Sequence, residues 1–518
     1  MRMLRMGADA VLVEAGGLTD AVALHARLVA DPPPGVVDIV PAARTVLVRA
    51  DPRMLSLEGV RAWITRAAAS AAAPPVTAAA VIVPVVYDGA DLAETAALLG
   101  TSAGALAARH ESTAWTVAFT GFAPGFGYLI GDGWDLDVPR RASPRTRVPA
   151  GSVALAGAFS GAYPRDTPGG WQLIGTTDAV LFDPDAARPA LLAPGAAVRF
   201  AASRAVSVGR RETESERAQP PGSGIRVVAA GARATFQDAG RPGRAAEGIA
   251  RSGAADAPAW ALANRLLGNR PDAAAIEVVL GGFRAVAERD LAVVVTGGWA
   301  PLTIDGRARD PYVVHPWPAG SELRMDAFLA GARAYLAVRG GWLVPPAVGS
   351  RSTDTLSGLG PAPVRTDDRV AVGDETAGPI PALPLHPWGL PAAATDAAPL
   401  DIPFVPGPRG DWITTASRRA LADAVWTVSA DADRVGIRLD GPVLDRARTD
   451  ELPSEGMSPG AIQVPPSGLP VVFGADGPVT GGYPVVGVVT AAGRARLAQV
   501  RPGDRVRLRP TAPPTTGA

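Results

Sequence analysis

The sequence predicts a mainly β protein with a small α+β domain at its N-terminus. Two observations lead to this fold class. A Pro-Gly or Ala-Gly turn followed by an extended segment occurs at 194–200, 319–325 and 502–508. The motif TPGGWQLIG at 167–175 is echoed by TGGYPVVG at 480–487. Matched motifs in the same order favour one β-rich module that recurs three times, as closed or nearly closed β-barrels with few helices.

Extended and helical patterns alternate over residues 1–85. Strands are predicted at 10–13 and 45–48, and helices at 19–28 and 57–73. The second helix is predicted to end where a Pro-Pro pair follows it, because proline cannot continue a helix. Residues 1–85 are therefore predicted to form the small α+β domain.

Residues 86–205 are predicted to form the first β-barrel. A buried strand is predicted at 81–87 and a helix at 91–110, and a run rich in glycine, proline, aromatic residues and arginine extends from Gly121 to Gly175. Glycine allows positive φ angles and lets a ligand approach the backbone closely, while proline fixes the turns. This run is therefore predicted to be a rigid binding surface.

The two halves of the chain are joined by residues 206–224. This stretch is charged and then rich in Pro, Gly and Ser, which is typical of a flexible linker. The strand-rich sequence beyond it predicts two further barrel-like parts, at 225–395 and 396–512. Residues 513–518 are predicted to be a disordered tail.

One clear helix is predicted in the second half. Ser252 is the candidate N-cap of a helix at 254–267, and Gly268 is its candidate stop. Asp256 and Asn264 fall on one face of this helix. Polar groups beside an apolar seam need partners, so both are candidate binding residues.

Composition excludes several classes of function. The 50 acidic residues balance the 50 basic ones, and no basic stripe indicates a nucleic-acid partner. The chain has no cysteine, which excludes disulfides and thiolate chemistry. All 50 basic residues are arginine, so the chain cannot supply the lysine of a Walker-type loop, a Schiff base or a biotin carrier. The four histidines are widely spaced, and no metal site is predicted.

No membrane or export segment is predicted. Residues 1–7 carry two arginines, but no apolar stretch with a cleavage site follows them. The longest uncharged stretch, 67–87, contains three prolines, which a membrane-spanning helix tolerates poorly. A cytoplasmic protein is expected.

Four segments place polar side chains, with arginine in three of them, in turns rich in glycine, serine and threonine. Arginine in such turns is the expected means by which a lysine-free chain holds a carboxylate or a phosphate. The segments are the run from Gly121 to Gly175, TFQDAGRPG at 235–243, ARAYLAVRGG at 332–341 with GSRST at 349–353, and SEGMSPGAIQ at 454–463 with the TGGYP that follows.

Carboxylates in and beside these segments are candidates for acid–base chemistry, and the other polar and aromatic side chains are candidates for ligand binding. For any single residue the alternative is a turn cap or a structural ion pair. The candidate catalytic residues are Asp238, Glu277 and Glu455. The candidate substrate- or nucleotide-binding residues are Phe126, Tyr128, Arg140, Arg145, Arg147, Ser152, Tyr163, Trp171, Gln237, Arg241, Asp256, Asn264, Arg351 and Tyr483.

These motifs carry a family resemblance over nearly the whole chain. Residues 9–202 resemble the B subunit of 5-oxoprolinase, also known as the kinase-A inhibitor or allophanate hydrolase subunit 1 family, through GFAPGFGYL, VPAGSVALAG and YPRDTPGGWQLIG. Residues 225–510 resemble the C subunit of 5-oxoprolinase, or allophanate hydrolase subunit 2. The motifs there are TFQDAGRPG, SGAADAPAWALANRLLGN, RAYLAVRGGW, GSRST and SEGMSPGAIQVPP. The linker then becomes a fusion joint between the two.

The resemblance implies cyclophilin-like β-barrels, one in the first half and two in the second. It also implies ATP-dependent opening of 5-oxoproline to glutamate, with Mg²⁺ and a separate LamB/YcsF-type subunit. One alternative is a carboxyltransferase-like module of a biotin-dependent urea or amide carboxylase, as in urea amidolyase, with biotin on another protein. A second alternative is a regulator that binds a histidine kinase. A homo-oligomer is compatible with each of these.

Two positions depart from the family pattern. Members commonly have Q-T-G before the first YP, where this chain has Phe159-Ser160-Gly161. They often have Q-T-T before the second GGYP, where this chain has Pro478-Val479-Thr480. Both changes replace a glutamine amide by a side chain that cannot hydrogen-bond. If those amides contact substrate in the family, the resemblance implies a substrate other than 5-oxoproline here.

Overall fold

The computed structural model describes residues 1–70, 79–205, 224–387 and 398–512. Within these ranges there are 34 strands and seven α-helices, so the predicted mainly β class is confirmed. The predicted linker, apart from Gly224, and the predicted tail at 513–518 lie outside the described residues.

The N-terminal domain is a four-stranded antiparallel sheet covered by two helices, and it matches the predicted α+β domain. The sheet order is β1-β2-β4-β3, so two strands join those that were predicted. The second helix ends at Ala69 with Ser70 as its C-cap, short of the predicted end at 73. The elements are β1 Arg2–Arg5, β2 Ala10–Glu14, α1 Leu18–Ala30, β3 Val36–Pro41, β4 Thr45–Ala50 and α2 Leu57–Ala69.

The first barrel is a seven-stranded sheet of order β12-β9-β10-β7-β6-β13-β5. A bridge between Val86 and Thr176 brings its two edge strands together. A separate two-stranded ribbon, β8 with β11, is formed by the arginine-rich loop. The elements are β5 Val81–Val85, α3 Leu92–Leu98, α4 Ala103–Ser112, β6 Trp115–Thr120, β7 Gly127–Gly131, β8 Arg145–Val148, β9 Ser152–Ala156, β10 Phe159–Ala162, β11 Thr167–Gly169, β12 Gln172–Thr176 and β13 Ala197–Ala202.

The single helix predicted at 91–110 is wrong. The chain forms α3 and α4 instead, because Gly100 takes a φ of 66° that ends the first helix. Ser102 then caps the second helix by accepting a hydrogen bond from the Ala105 N–H. Gly100 and Ser102, two residues apart, were the sequence signal for the break between the two helices.

The middle part of the chain differs from a single closed barrel. Its strands divide between a seven-stranded and a five-stranded sheet that enclose one apolar core. The elements are β14 Gly224–Ala230, β15 Arg233–Gln237, the 3-10 helix η1 Ala245–Glu247, α5 Ala257–Leu267, β16 Ala275–Val279, β17 Phe283–Ala287, β18 Leu291–Trp299, β19 Leu302–Ile304, β20 Arg307–Arg309, β21 His315–Trp317, β22 Glu322–Met325, β23 Ala330–Val338, β24 Trp342–Leu343 and β25 Arg369–Val372.

Helix α5 begins later than predicted, so its expected N-cap is wrong. Asp256 is the cap and accepts a hydrogen bond from the Ala259 N–H. Ser252 instead lies in a buried turn with a φ of 54°. Gly268 ends the helix in the left-handed conformation, as predicted.

The third unit is a closed barrel of order β26-β33-β30-β31-β28-β27-β34. Its first and last strands pair in parallel, as β5 and β13 do in the first barrel. The elements are β26 Leu400–Pro406, the 3-10 helix η2 Gly410–Trp412, α6 Thr415–Asp423, β27 Trp426–Val428, β28 Gly436–Asp440, β29 Glu455–Gly456, β30 Ala461–Gln463, β31 Val471–Phe473, β32 Thr480–Gly481, β33 Val485–Val489, α7 Ala491–Leu497 and β34 Arg505–Pro510.

The repeated turn-and-strand motif is confirmed at all three places. Gly195, Gly320 and Gly503 have φ angles of 85°, 79° and 88°, and each precedes a strand. A positive φ at the second turn position is the conformation that favours glycine there. The repeat therefore marked real strand starts.

Candidate functional site

The two halves of the chain meet around the short helix η1. The Ala245 N–H donates to Asp38 of the N-terminal domain at 3.3 Å. On the other side, the Thr120 hydroxyl of the first barrel donates to the Ala246 carbonyl at 2.5 Å. The Gly125 N–H donates to the Glu247 carbonyl at 3.0 Å. Three consecutive residues of the second half thus contact both domains of the first half.

A small cleft, with a cavity volume of about 20 Å³, opens beside this junction. The N-terminal domain contributes two residues to the lining and the middle part contributes three. The third barrel contributes two loops, at 457–459 and within 473–479. Arg241 is the one predicted binding residue among them. The lining residues are Asp38, Arg49, Arg241, Ala245, Arg251 and the segments 457–459, 473–475 and 477–479.

Positive charge exceeds negative charge in this cleft. Arg49 pairs with Asp38 at 3.1 Å and with Asp9 at 3.3 Å. Arg241 is buried and donates to the carbonyls of Ala347 at 3.0 Å and Ser352 at 2.6 Å, with no salt bridge to any described carboxylate.

A further cation lies close to these. Burial lowers the pKa of Arg494. The Asp9 carboxylate opposes this, and the charges of Arg49 and Arg251 lower that pKa further. Several guanidinium groups therefore share one neighbourhood, where an anion would relieve their mutual repulsion.

Three buried polar atoms of the lining residues lack a hydrogen-bond partner within the described ranges. They are Arg49 Nε, Arg241 Nη1 and Ser458 Oγ. A buried donor without a partner costs about 1–3 kcal/mol, so such atoms are normally satisfied by a ligand or by water. Donors of this kind beside excess positive charge suit a carboxylate or a phosphate. Ser458 lay inside a motif singled out from the sequence, whereas Arg49 and Arg251 gave no signal.

The predicted residues of the middle part come together beneath this cleft. Asp238 accepts hydrogen bonds from the hydroxyls of Ser350 and Ser352, both at 2.6 Å, and from the Arg351 N–H at 2.6 Å. The Arg351 side chain forms a salt bridge with Glu375 at 2.9 Å. Asp238 therefore holds the GSRST loop in place. The Arg241 side chain donates a hydrogen bond to the Ser352 carbonyl of this loop.

A buried ionic network connects the middle part to the third barrel. Arg434 donates to Glu277 at 2.7 Å and to Asp476 at 2.9 Å, and all three side chains are almost fully buried. Gln237 accepts from the same guanidinium at 3.3 Å. Burial raises the pKa of Glu277, but Arg434 and then Arg333 outweigh it and hold that pKa below its ordinary value. The Glu277 carboxylate is therefore kept ionised by its partners.

Glu455 occupies a second ionic junction. Its carboxylate accepts two hydrogen bonds from Arg409, whose third donor reaches Glu14 of the N-terminal domain at 2.6 Å. Burial nevertheless raises the pKa of Glu455 above its ordinary value. Glu455 thus helps to link the third barrel to the N-terminal domain.

The remaining predicted residues of the second half do not line the cleft. Asp256 caps α5 and accepts from the Gln499 amide at 2.7 Å, and burial raises its pKa. Asn264 donates to the Ala273 carbonyl at 2.8 Å inside the core. Tyr483 is 46% exposed on the surface.

The predicted aromatic residues of the first barrel form one cluster on the outer face of its sheet. Phe126, Tyr163 and Trp171 are buried, and Tyr128 is half-buried. Phe126 lies 4.9 Å from Tyr163 and 5.3 Å from Trp171 between ring centroids, each in an edge-to-face arrangement. The other members are Phe119, Phe122 and Phe159.

Glycines in this run make room for the rings of the protein itself. A Cβ added at Gly161 would lie 3.1 Å from Trp171 and 3.2 Å from Phe126. One added at Gly169 would lie 2.6 Å from the Tyr163 hydroxyl. The sequence analysis expected a ligand to lie against the backbone of these glycines. In the structure aromatic side chains of the protein lie against it instead.

Among the arginines predicted in this region, two are already paired. Arg145 donates to the buried Asp91 at 2.7 Å, and Arg147 donates to Asp166 at 2.8 Å. Arg140 is exposed and has no ion-pair partner among the described residues. Ser152 is buried, and its carbonyl accepts from the Tyr163 N–H at 2.9 Å.

Neither a metal-binding cluster nor a membrane-spanning helix is found in the described part of the chain. No group of three or more His, Asp or Glu side chains is arranged there to hold a metal ion. No helix within the described ranges is both long and apolar enough to cross a bilayer.

Comparison with known proteins agrees with both halves of this architecture. Residues 247–510 match the family described as carboxyltransferase domain, subdomain A and B. Residues 1–192 match the family described as subdomain C and D of that domain.

Curated relatives divide along the same line. The C subunit of 5-oxoprolinase from Escherichia coli strain K12 is 34% identical over 289 residues, which cover 55% of this chain and 90% of that protein. The B subunit of 5-oxoprolinase from Escherichia coli O157:H7 is 43% identical over 175 residues, covering 32% and 78% respectively. Urea amidolyase of Saccharomyces cerevisiae is 32% identical over 304 residues, which cover 55% of this chain but 16% of that protein.

Solved structures extend the likeness to the whole molecule. The crystal structure of TTHA0988 is 33% identical with a TM-score of 0.84, and the match covers 98% of this chain and 100% of that one. The K. lactis urea amidolyase matches with a TM-score of 0.51 at 28% identity, over 56% of this chain and 19% of that one. The chain therefore belongs to the carboxyltransferase-domain family, as one polypeptide that joins a relative of the B subunit of 5-oxoprolinase to a relative of the C subunit.

Proposed function

We propose that this protein is a component of an ATP-dependent 5-oxoprolinase, a hydrolase that opens the lactam of 5-oxoproline to give glutamate. The observation that carries the proposal is the arginine-lined cleft, to which both halves of the fused chain contribute side chains. 5-oxoproline is a small carboxylate, and guanidinium groups with unpaired buried donors suit such a ligand. The relatives are named as subunits, which supports a complex of several subunits, and the further LamB/YcsF-type protein is part of this proposal.

The cleft can supply charge stabilisation for this chemistry. Opening a lactam after activation by ATP places negative charge on carbonyl and phosphoryl oxygens, which arginine donors stabilise. No described acidic cluster would hold Mg²⁺ by itself, so the ion would be bound through phosphate oxygens with one or two carboxylates. Asp38 is the lining carboxylate, while Asp238, Glu277 and Glu455 remain predicted acid–base residues.

A turnover assay tests the proposal. Purified protein, with and without a LamB/YcsF-type partner, is expected to release ADP in a manner that depends on 5-oxoproline. Arg251→Gln should raise KM for 5-oxoproline about tenfold, because one cleft guanidinium is lost. Arg265→Gln, an exposed position on α5, is the matched control and should leave KM unchanged. Absence of turnover in both mixtures would contradict the proposal.

A second candidate is a carboxyltransferase-like module that acts on urea or another small amide. It is favoured by the match to the carboxyltransferase family and to urea amidolyase. The chain has no lysine, so biotin would have to be carried by another protein. Co-purification of a biotinylated carrier and turnover of carboxybiotin with urea would favour this candidate over the first.

A further inference from the structure

A cluster of aromatic side chains lies on the first barrel, which contacts η1 beside the cleft. We infer that the aromatic cluster around Tyr128 and Phe159, together with Arg140, binds a flat ring that carries negative charge. A nucleotide is the member of that class that the proposed function requires, so its identity as a nucleotide rests on that proposal. The chemical class itself rests on the geometry.

The cluster presents partly open rings on a rigid base. Phe119 and Tyr128 are stacked, with centroids 4.3 Å apart and planes 15° apart. Phe159 stands edge-on to both, at 5.7 Å in each case. Tyr128 and Phe159 are half-buried, whereas Phe126 and Trp171 behind them are buried. Rings that are held in place and keep part of their surface open can stack a further aromatic ring.

Phe122 adds a strained, exposed ring at the rim of this surface. It has a φ of 66°, which a bulky residue rarely adopts, and it is 48% exposed. Its ring contacts Phe126 at 5.5 Å and Tyr163 at 6.3 Å. Backbone strain of this kind persists where the surroundings enforce it, often beside a ligand.

Arg140 gives the surface its charge. The N–H of the next residue, Arg141, donates to the Gly170 carbonyl at 2.9 Å, which holds this part of the chain beside Trp171. The positive charge of Arg140 also opposes the rise in the pKa of Tyr128 and Tyr163 that burial causes. The neighbouring arginines are neutralised, because Arg141 and Arg145 share Asp91. Within the described residues Arg140 has no carboxylate partner, so its charge is available to an anionic ligand.

The surface and the cleft flank one junction. Gly125, just before Phe126, is hydrogen-bonded to Glu247 of η1, and Ala245 of the same helix lines the cleft. The cleft segment 477–479 continues directly into Thr480, which packs against Gly121. A ligand with a ring at one end and negative charge along its length could contact both sites.

Calorimetry on the intact protein tests this inference, using ATP, adenosine, inorganic triphosphate and benzoate as probes. ATP should bind more tightly than adenosine, which lacks charge, and than triphosphate, which lacks a ring. Arg140→Gln should weaken ATP binding about tenfold and leave adenosine binding unchanged. Phe159→Leu, which removes the aromatic ring and keeps an apolar side chain, should weaken ATP and adenosine alike by about tenfold. Arg307→Gln, an exposed position in the middle part, should change neither.

The outcomes separate this inference from the proposed function. Tighter binding of benzoate than of ATP would support the site and assign it to aromatic acids. Wild-type affinity for ATP in Arg140→Gln, or no binding of any ring-bearing probe up to about 1 mM, would overturn it. Binding of 5-oxoproline that survives in Arg140→Gln and falls in Arg251→Gln would leave the cleft proposal intact whatever happens at the aromatic surface.

Discussion

At the scale of single residues, His110 shows how burial fixes a protonation state. It is fully buried, its Nδ1 lies 2.9 Å from the Tyr87 hydroxyl, and its Nε2 lies 2.8 Å from the Ser160 hydroxyl. Burial lowers its pKa to about 3, from an ordinary value of 6.5. His25 is similar, with burial lowering its pKa to about 4. Both are therefore neutral in the folded protein at neutral pH.

This predicts a loss of stability in mild acid. Between about pH 6.5 and pH 4 the unfolded chain binds protons that the folded chain does not, so the free energy of unfolding falls as pH falls. Each histidine contributes up to about 1.4 kcal/mol per pH unit. Urea unfolding from pH 7 to pH 5 should show a shallower pH dependence in His110→Asn and an unchanged one in the exposed control His386→Asn. The same slope in His110→Asn as in the wild type would contradict this.

Residues that were grouped by one local motif also lie together in the structure, while their binding and catalytic roles stay predictions. Gln237, Asp238 and Arg241 stand on one turn and were singled out together, and the structure places them around the GSRST loop. Arg49 and Arg251 were missed, because each lies in an unremarkable stretch and acquires its role from contacts between domains. Such contacts leave no periodic or motif signal in a single sequence.

At the scale of elements, the glycine-rich run explains how a β-sheet carries so many rings on its outer face. Gly161 on β10 allows Trp171 and Phe126 to lie against the strand, and a Cβ there would be 3.0 Å from the Gly127 carbonyl oxygen. Where a strand has glycine, an aromatic ring of a neighbouring residue can pack directly on the strand backbone. The order of the aromatic cluster therefore depends on glycine.

Gly161→Ala should destabilise the protein by about 1–3 kcal/mol, because the new methyl group overpacks the ring cluster. Gly104→Ala, on α4 with open space around it, is the control and should be neutral or stabilising by up to about 1 kcal/mol. Urea midpoints give the stability, and near-ultraviolet circular dichroism reports the packing of the rings. Equal urea midpoints for the two variants would contradict the prediction, because they would show that the rings rearrange to accommodate the added methyl group.

Strands and helices were predicted best where neighbouring residues in the sequence determine where they begin and end. The turn before each repeated strand follows from glycine alone, and it was found. The N-cap of α5 was misplaced, since Ser252 and Asp256 are both good caps by type. Long-range hydrogen bonds of Ser252 to Asp476 and to the Ala475 carbonyl hold it outside the helix. The division of the middle part into two sheets depends on long-range pairing, which local patterns do not encode.

At the scale of the whole molecule, Arg434 ties the middle part to the third barrel. Its guanidinium is shared by Glu277 of one unit and by Asp476 of the other, with the Gly253 carbonyl as a further acceptor at 2.7 Å. Removing one member of a buried ionic group leaves the other charges without compensation. Arg434 should therefore contribute strongly to the contact between the two units, together with the hydrogen bonds of Gln499 to Asp256 and of Ser252 to Asp476.

Arg434→Met should lower the free energy of unfolding by about 3–5 kcal/mol, since the buried Asp476 loses its counter-charge and Glu277 is left with Arg333 at 3.5 Å. The double variant with Glu277→Gln should recover part of that loss. Arg438→Met, exposed on β28, should stay within about 0.5 kcal/mol of the wild type. Thermal and urea unfolding of the three variants decides this, and equal midpoints for Arg434→Met and Arg438→Met would contradict the role of the network.

The parallel pairing of first and last strands has a consequence for the time course of folding. In the first barrel β5 pairs with β13, and in the third β26 pairs with β34, across more than 100 residues of chain in each case. Contacts between residues so far apart form slowly, because the intervening chain must first lose its freedom. The pairing of the first and last strands is therefore expected to be the last step in the folding of each barrel. Until that step, two strand edges are open to pairing with another chain. Newly made protein should be most prone to aggregate at that stage.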